Sequence, residues 1–389
     1  MQGVTQRAAR GRSQIAALRR RLLAWYDKHR RRLPWRDLDP PDPYATLVSE
    51  AMLQQTQVAT VIPYYLRFME RFPTLGALAA ADIDDVLSYW AGLGYYRRCH
   101  HLHSAARRMI EESGGVFPRE LEAIRALPGV GRYTAGAIAS IAFGIRAAAV
   151  DGNVRRVVSR VSDWGDDNQP MKTHDGVWSI AERWVPRRRP GDFNQALMEL
   201  GATICTPRNP DCLMCPLRRC CAHGHRTGFQ PASCGTGLRP VMDRREACPA
   251  SARPTAKRRR TKTIGLVTVA IEHRGRLLYH RRPNEGLWSG LWEWPTKTIE
   301  NGASPLELVD QILTPVVRAS RSEAAPGRAF HTLVHVLTHR RVRFRAYHVV
   351  LKAAPRRRAG DRWLRRGAEA KLAMSRAQVR LLNALPFEF

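Results

Sequence analysis

Acidic side chains are scarce in this chain of 389 residues. Asp and Glu together number 34 whereas Lys and Arg number 64, so the formal net charge at neutral pH is +30. An excess of this size favours a polyanionic partner, nucleic acid above all. A basic surface that is merely solvated is the alternative that charge alone leaves open.

Long apolar runs are also missing. No stretch reaches the roughly 20 uninterrupted apolar residues that a membrane-spanning helix requires. The arginine-rich N-terminal segment is not followed by the apolar core of a signal peptide. We therefore expect a cytoplasmic protein with no membrane partner.

Cysteine is sparse and clustered, which argues against a secreted disulfide scaffold. The chain has eight cysteines, and four of them fall within one short loop: Cys205, Cys212, Cys215 and Cys221. Four thiolates suit a tetrahedral zinc ion or a 4Fe-4S cluster, and ligand softness does not separate the two. Four incidental buried cysteines are the structural alternative.

The spacing of apolar residues divides the chain into three parts. Helical spacing with Pro and Gly breaks predicts a helical domain over 1–221. Pro, Gly, Ser and Arg dominate 222–262, which predicts a flexible basic linker in which Cys234 and Cys248 are spectator thiols. β-Branched runs then predict a mixed α/β domain over 263–389.

Two short runs in the helical domain carry chemical signals. Residues 127–135 read LPGVGRYTA, and the glycines would let a turn approach closely so that free amides at the start of the next helix face a phosphate oxygen. Residues 150–154 read VDGNV and follow closely. A glycine turn alone could belong to any helical hairpin. The glycine turn followed closely by VDGNV is a much more specific pattern.

A third run contains a carboxyl group in apolar surroundings. Residues 47–58 read LVSEAMLQQTQV, preceded by LPWR at 33–36. Apolar helical neighbours would raise the pKa of Glu50 and suit it to donate a proton. A solvent-facing helical glutamate is the alternative.

These runs resemble the helix-hairpin-helix superfamily of DNA glycosylases, and most closely its MutY family of adenine DNA glycosylases. The resemblance covers 15–221 closely and 264–350 less closely. It implies an all-α glycosylase domain with an iron–sulfur cluster loop at 205–221. One 4Fe-4S cluster would be held by the four clustered cysteines, with Cys221 rather than its neighbour Cys220 as the last ligand.

The same resemblance implies roles for individual residues. Glu50 corresponds to the acid that protonates adenine N7 and Asp151 to the carboxylate that stabilises the sugar cation, with Tyr133 and Asn153 orienting them. The hairpin that binds DNA corresponds to Gly129, Val130 and Gly131.

Further positions correspond to residues that contact the bases. Gln55 and Tyr95 match the side chains that enter the base stack, an expected feature because a glycosylase must extrude its target base. The adenine pocket corresponds to Arg31, Trp35, Gln195 and Glu199. Packing between helices is the alternative for all six.

The C-terminal domain resembles the MutT-type, Nudix-like α+β module of the same family, chiefly through GLWSGLWEWP at 286–295. The glutamate helix with which a Nudix hydrolase holds Mg²⁺ does not follow this run, so we expect binding without pyrophosphatase chemistry. Residues 334–339 align with the loop that inspects 8-oxoguanine. The family's Phe-Ser is here Leu337-Thr338, and Thr338 and His339 are the predicted contacts.

The expected function is hydrolysis of the N-glycosidic bond of adenine mispaired with 8-oxoguanine or guanine in double-stranded DNA. The resemblance further implies a monomer at the bacterial nucleoid. A glycosylase with added lyase activity is the nearest rival, but its lysine nucleophile would stand where this chain has Tyr133. A non-catalytic, cluster-bearing DNA-binding protein would need neither Glu50 nor Asp151. A Nudix hydrolase fused to DNA-binding helices lacks the metal-binding glutamates.

Overall fold

The computed structural model describes most of the chain. It covers residues 2–162, 174–223, 262–283, 285–300, 302–317, 329–337, 340–352, 355–356, 358 and 360–386. The chain divides into two compact units, one of Met1–Leu66 with Arg108–Thr255 and one of Arg67–Arg107 with Ala256–Phe389. Residues 224–261 of the predicted linker lie outside the described residues, so the boundaries at 221 and 262 stay a prediction.

The N-terminal part of the chain is helical, as the sequence predicted. Its described residues form α1 (Gln2–His29), α2 (Pro43–Leu53), α3 (Val58–Arg71), α4 (Leu75–Ala80), α5 (Ile83–Trp90), α6 (Arg97–Ser113), α7 (Leu121–Arg125), α8 (Arg132–Phe143), α9 (Gly152–Val161), α10 (His174–Trp184) and α11 (Pro190–Thr203). A short 3-10 helix follows at Arg218–Cys220. None of the described helices has both the length and the apolar character needed to cross a bilayer.

Local sequence signals fix the ends of the helices that matter here. Asp42 caps α2 by accepting a hydrogen bond from the Tyr44 amide at 2.9 Å, and Pro43 occupies the first turn. Asp151 caps α9 through the Val154 amide at 2.7 Å. At the C-terminal end of α8, Gly144 has φ 64°, and this left-handed conformation terminates the helix.

The core of the first unit joins α1, α9, α10 and α11. Its fully buried side chains include Leu22, Val157, Trp178 and Leu197. Helices α9 and α11 approach very closely, because a Cβ on Gly201 would come within 2.7 Å of the Asn153 Cβ. A glycine at 201 therefore sets the spacing between two helices that both carry predicted site residues.

The C-terminal part of the second unit is built on a mixed β-sheet. Its described strands are β1 (Lys262–His273), β2 (Arg276–Arg281), β3 (Trp292–Glu293), β4 (Thr296–Thr298), β5 (His331–Val336), β6 (Arg340–Val350) and β7 (Arg362–Arg365). The order is β3-β2-β1-β6-β5, with β4 on β1 and β7 on β2. β1 and β6 run parallel, and the other pairs are antiparallel.

Helices cover this sheet and confirm the predicted α+β class. Helix α12 (Pro305–Leu313) packs on β1 and β6 around Val267, Val309 and Val349, and α13 (Arg376–Asn383) is the last described helix. The turn between β1 and β2 has φ 49° at Arg274 and 71° at Gly275. Two consecutive positive φ angles are what a tight hairpin requires.

An ion-pair group joins α5 to the sheet inside the second unit. Arg281 Nη2 on β2 lies 2.8 Å from Asp84 Oδ1, and Arg362 Nη2 on β7 lies 3.6 Å from Asp84 Oδ2. The Asp84 side chain is only 17% exposed. Because solvent screens this pair weakly, the contact ties residues 67–107 to the C-terminal sheet.

Candidate active site

Glu50 is a buried carboxyl group on α2. Its relative exposure is 6%. Burial raises the pKa of Glu50 to about 7, a hydrogen bond with the Tyr133 hydroxyl lowers it, and the nearby Asp151 charge raises it. The carboxyl therefore carries its proton for a substantial fraction of the time near neutral pH.

Asp151 is the second carboxyl group of the site and has different surroundings. Burial raises its pKa above the usual value, and hydrogen bonds from the Val154 amide and from Asn153, together with the Arg156 charge, oppose only part of that rise. Asn153 Nδ2 donates to Asp151 Oδ2 at 2.9 Å. These donors stabilise the Asp151 anion, whereas the smaller set of contacts on Glu50 leaves its pKa near neutrality.

Both carboxyls line one cavity of about 620 Å³ in the first unit. Of the residues predicted from sequence, the cavity also brings together Arg31, Trp35, Gln55, Tyr133, Asn153, Gln195 and Glu199. The volume falls in the range of small-molecule sites and is sufficient for a nucleobase. None of the described lining residues is a lysine.

Tyr133 lines the same cavity and contacts Glu50. Its hydroxyl hydrogen-bonds Glu50, and burial raises the pKa of Tyr133 well above its usual value. The same hydroxyl lies 3.8 Å from Met198 Sδ on α11. Tyr133 is thus a neutral hydrogen-bonding group whose position is fixed by packing.

Glu199 forms the charged side of the cavity. Its carboxylate, 1% exposed, accepts hydrogen bonds from Arg31 Nη2 at 3.1 Å and from Arg36 Nη1 at 3.1 Å. Burial alone would raise the pKa of Glu199, but the two arginines lower it. The sequence analysis missed Arg36, although it belongs to the LPWR run, because nothing in the sequence indicates its partner on α11.

Trp35 supplies an aromatic wall. Its ring meets Tyr65 edge-on, with centroids 5.2 Å apart. Gln195 lines the same cavity from α11. Apolar rings with a few fixed polar groups are the usual composition of a pocket for a flat heterocycle.

Gln55 and Tyr95, the predicted stack-entering residues, share an unusual backbone conformation. Gln55 has φ 59° and Tyr95 φ 51°, values that few non-glycine residues adopt. Gln55 lines the cavity in the first unit, whereas Tyr95 belongs to the second and is 42% exposed.

The predicted hairpin lies between α7 and α8. Gly129 has φ 75°, and the Val130 amide donates to the Leu127 carbonyl at 3.1 Å to close the turn. Helix α8 begins after Gly131 with no side-chain cap. An uncapped helix start of this kind presents backbone amides suited to a phosphate oxygen.

The four clustered cysteines line a second, smaller cavity, next to α9. Arg160 Nη1 donates to Cys205 Sγ at 3.3 Å. Cys220 does not line that cavity, since its sulfur accepts from Arg21 on α1. Among the described side chains, no group of three His, Cys, Asp or Glu converges on a single-ion site. Four thiols around a shared space could hold a zinc ion or an iron–sulfur cluster.

Arg156 connects the cysteine loop with the catalytic end of α9. Its Nε donates to the Cys205 carbonyl at 2.7 Å and its Nη2 to Asn153 Oδ1 at 2.9 Å. Asn153 in turn holds Asp151. No local sequence pattern indicates this connection, because it depends on contacts between α9 and a loop 45 to 49 residues away.

In the C-terminal sheet the described residues around the predicted 8-oxoguanine loop are aromatic and charged. The Trp288 ring lies 5.7 Å from Phe344 and 6.0 Å from His335. Glu293 is buried and pairs with Arg282 Nη1 at 2.5 Å. Thr338 and His339, the predicted contacts, lie outside the described residues.

Comparison with known families defines the class of protein. Residues 48–183 match the HhH-GPD superfamily of base excision DNA repair proteins, and residues 266–384 match the NUDIX domain. The solved structure of a thermostable thymine-DNA glycosylase aligns with 56% of this chain and 99% of its own, at 32% identity and a TM-score of 0.51. The helical part is therefore a base excision glycosylase fold.

Individual relatives narrow the class to one family. The chain is 40% identical to the adenine DNA glycosylase of Rattus norvegicus over 90% of its own length and 74% of the relative's. It is 39% identical to that of Homo sapiens, with 87% and 68% covered. That of Mycolicibacterium smegmatis is 45% identical over 51% of this chain and 67% of the relative. The chain belongs to the adenine DNA glycosylases, an enzyme family that acts on DNA, which confirms the resemblance seen in the sequence.

Proposed function

We propose that this enzyme hydrolyses the N-glycosidic bond of adenine paired with 8-oxoguanine or guanine, and that it does not cleave the DNA strand. The observation that carries the proposal is the cavity in which Glu50 and Asp151 lie with Tyr133 beside them. Glu50 keeps its proton for a substantial fraction of the time near neutral pH, whereas hydrogen bonds and the Arg156 charge stabilise the Asp151 anion against burial. Glycosidic bond cleavage needs this division of roles.

The reaction begins with an extruded adenine in the cavity. Glu50 donates its proton to adenine N7, and the bond between N9 and the sugar C1′ breaks with its electron pair leaving on the base. The Asp151 carboxylate stabilises the oxocarbenium ion that remains. Water then attacks C1′, Glu50 as the carboxylate accepts its proton, and the enzyme returns to its starting state.

The residues around the two carboxyls bind and orient. Tyr133 and Asn153 hold Glu50 and Asp151 through hydrogen bonds. The wall of the adenine site consists of Arg31, Trp35, Gln195 and Glu199. Tyr133 also occupies the place of an amine nucleophile, so no Schiff base forms and the enzyme is monofunctional.

Contacts with double-stranded DNA come from two regions. The amides after Gly129, Val130 and Gly131 bind a phosphate, and the net positive charge of the chain adds non-specific affinity. Gln55 and Tyr95 enter the stack where the adenine leaves it, and their strained φ angles fit such a role.

One 4Fe-4S cluster bound by Cys205, Cys212, Cys215 and Cys221 would complete the cysteine loop. When bound, the cluster supplies a structural crosslink. The loop beside it presents Arg208, Arg218 and Arg219 to DNA, and Arg156 joins it to Asn153.

The C-terminal domain, 263–389, reads the base opposite the adenine through Thr338 and His339. We propose that the enzyme acts as a monomer at the nucleoid of a bacterium. Relatives occur in bacteria, plants, fungi and mammals, so this location rests on the proposal alone.

One assay tests the function directly. Single-turnover adenine release is measured on duplexes containing A:8-oxoguanine, A:G, A:C and A:T, with borohydride added to a parallel set. We expect release from the first two, none from A:T, and no trapped protein–DNA adduct. Efficient trapping would refute the monofunctional mechanism, and equal release from all four duplexes would refute the mispair specificity.

A further inference from the structure

The turn that presents Tyr95 is held in a strained shape. Gly92 has φ 96°, Gly94 φ 83° and Tyr95 φ 51°, so three of four consecutive residues adopt the left-handed region. Glycine adopts it freely, but tyrosine does so only when its surroundings enforce it. Something in the structure must therefore hold Tyr95 in place.

Arg98, one turn further on, makes the contacts that can do this. Its Nη2 donates to the Gly94 carbonyl at 3.0 Å, the same carbonyl that accepts from Trp90 Nε1 at 3.1 Å. Its guanidinium carbon lies 5.2 Å from the centre of the Tyr95 ring and 5.5 Å from that of Trp90. A single planar cation thus contacts the ring of Tyr95 and fixes the peptide that precedes it.

Arg98 is half-buried and keeps its charge. Burial lowers its pKa to about 10, so the guanidinium stays charged at neutral pH. A cation over an aromatic face gains more where water is excluded. Lysine would keep the charge but could not combine a flat stack with a directed hydrogen bond.

We propose that Arg98 is a positioning residue for lesion recognition, one that holds the Tyr95 ring and its strained turn in the orientation from which the ring enters the DNA stack. The proposal rests on the proposed role of Tyr95 as a stack-entering side chain. Arg98 acts through Tyr95 and not through a DNA contact of its own.

The test is a double-mutant cycle with a spectroscopic readout. Tyr95→Ala, Arg98→Gln, Arg98→Lys and the Tyr95→Ala/Arg98→Gln double variant are compared with Arg97→Gln. This control removes one positive charge from the exposed neighbouring position on the same helix. Single-turnover adenine release is measured on an A:8-oxoguanine duplex, and 2-aminopurine beside the lesion reports unstacking at saturating protein.

We expect Arg98→Gln to slow release about tenfold, the size of a lost half-buried cation–aromatic contact, and to reduce the 2-aminopurine signal as Tyr95→Ala does. Arg98→Lys should show most of that loss, Arg97→Gln none, and the double variant no more than Tyr95→Ala alone. Because Arg98→Lys keeps the charge, it serves as the decisive variant if Arg98→Gln unfolds at a much lower temperature.

Three results would overturn the proposal, and they are distinguishable. Additive losses in the double variant would mean that Arg98 acts independently of Tyr95, for example on a phosphate. An unchanged 2-aminopurine signal in both Arg98 variants would remove the positioning role. If Tyr95→Ala itself leaves release and signal unchanged, Tyr95 does not enter the stack and Arg98 has no positioning role. That result would not contradict the proposed excision of adenine.

Discussion

Asn153 donates from its side-chain amide to the Asp151 carboxylate at 2.9 Å, while the Val154 amide donates to the other carboxylate oxygen at 2.7 Å. Asp151 is therefore both the cap of α9 and the anion of the cavity. Asp151→Asn separates the two roles, because asparagine caps helices about as well as aspartate but carries no charge.

Asp151→Asn should abolish adenine release and change stability little. The amide keeps the capping oxygen but cannot offset the positive charge that develops on the sugar. We expect the free energy of unfolding to fall by no more than about 1 kcal/mol, the size of one hydrogen bond. Asp151→Ala, which also loses the cap, is the matched comparison. Single-turnover rates and denaturant unfolding measure both effects, and retained activity in Asp151→Asn would refute the cation-stabilising role.

Glu50→Gln should abolish base release while duplex binding persists, since it deletes a proton donor and preserves shape. The parent rate should fall as pH rises through about 7, where Glu50 loses its proton.

The raised pKa of Glu50 also makes stability depend on pH. Between about pH 4.5 and 7 the folded state holds more protons than the unfolded state, so the free energy of unfolding decreases as pH rises across that window. Glu50→Gln should remove this loss. Rates and melting temperatures from pH 5 to 9 test it, and a variant with the parent's pH dependence of stability would contradict the assignment.

Tyr133→Lys should gain strand-cleaving lyase activity. A lysine here would replace a neutral hydroxyl beside two carboxyls by an amine within reach of the sugar. Borohydride trapping on an A:8-oxoguanine duplex measures the Schiff base, with Tyr133→Phe as the control that should not trap. Failure to trap at any pH between 7 and 9 would mean that position 133 does not face the reacting carbon.

The sequence predicted features that depend on neighbouring residues, but not those that depend on contacts between residues far apart in the chain. Local runs indicated the hairpin glycines and the cysteine cluster, apolar periodicity indicated a helical domain followed by a mixed α/β domain, and the family resemblance supplied the all-α and α+β classes. Arg36 and Glu199, which form an ion pair in the cavity, are 163 residues apart, and no local pattern links them. The left-handed backbone of Tyr95 was equally invisible, because propensity alone argues against it. Residues 67–107 are joined to the C-terminal sheet by the ion pair between Asp84 and Arg281, another contact that only the folded chain reveals.

The cysteine loop offers a paired test of ligand identity. Cys221→Ser should lose iron and reduce affinity for DNA, whereas Cys220→Ser should keep both, because Cys220 faces Arg21 and not the shared cavity. Cys205→Ser should also slow release, because loss of the cluster would displace the loop whose residue 205 carbonyl holds Arg156 and through it Asn153. Iron analysis and an absorbance spectrum read the cluster. A parent protein with neither iron nor zinc, or a Cys220→Ser variant without its metal, would contradict the assignment.

Substitution of Thr338 and His339 by Ala should slow processing of A:8-oxoguanine much more than that of A:G. Guanine and 8-oxoguanine differ by an N7 hydrogen and an oxygen at C8, so losing a contact to either should reduce discrimination by roughly ten- to hundredfold. Point changes are better than deletion of 264–389, because α5 packs on the sheet that a deletion would remove. Equal rate losses on both substrates would move lesion recognition to the helical part.

The two arginines on Asp84 also set an order of events during synthesis. The ribosome completes α5 long before it reaches Arg281, and Arg362 comes later still. β1 likewise waits for its parallel partner, since Lys262 pairs with Arg340 and Glu272 with Val350. Residues 67–107 must therefore leave the exit tunnel without the partners that later cover them, and β1 emerges with an unpaired edge. Until its last strands appear, the nascent chain exposes surfaces that the finished fold covers.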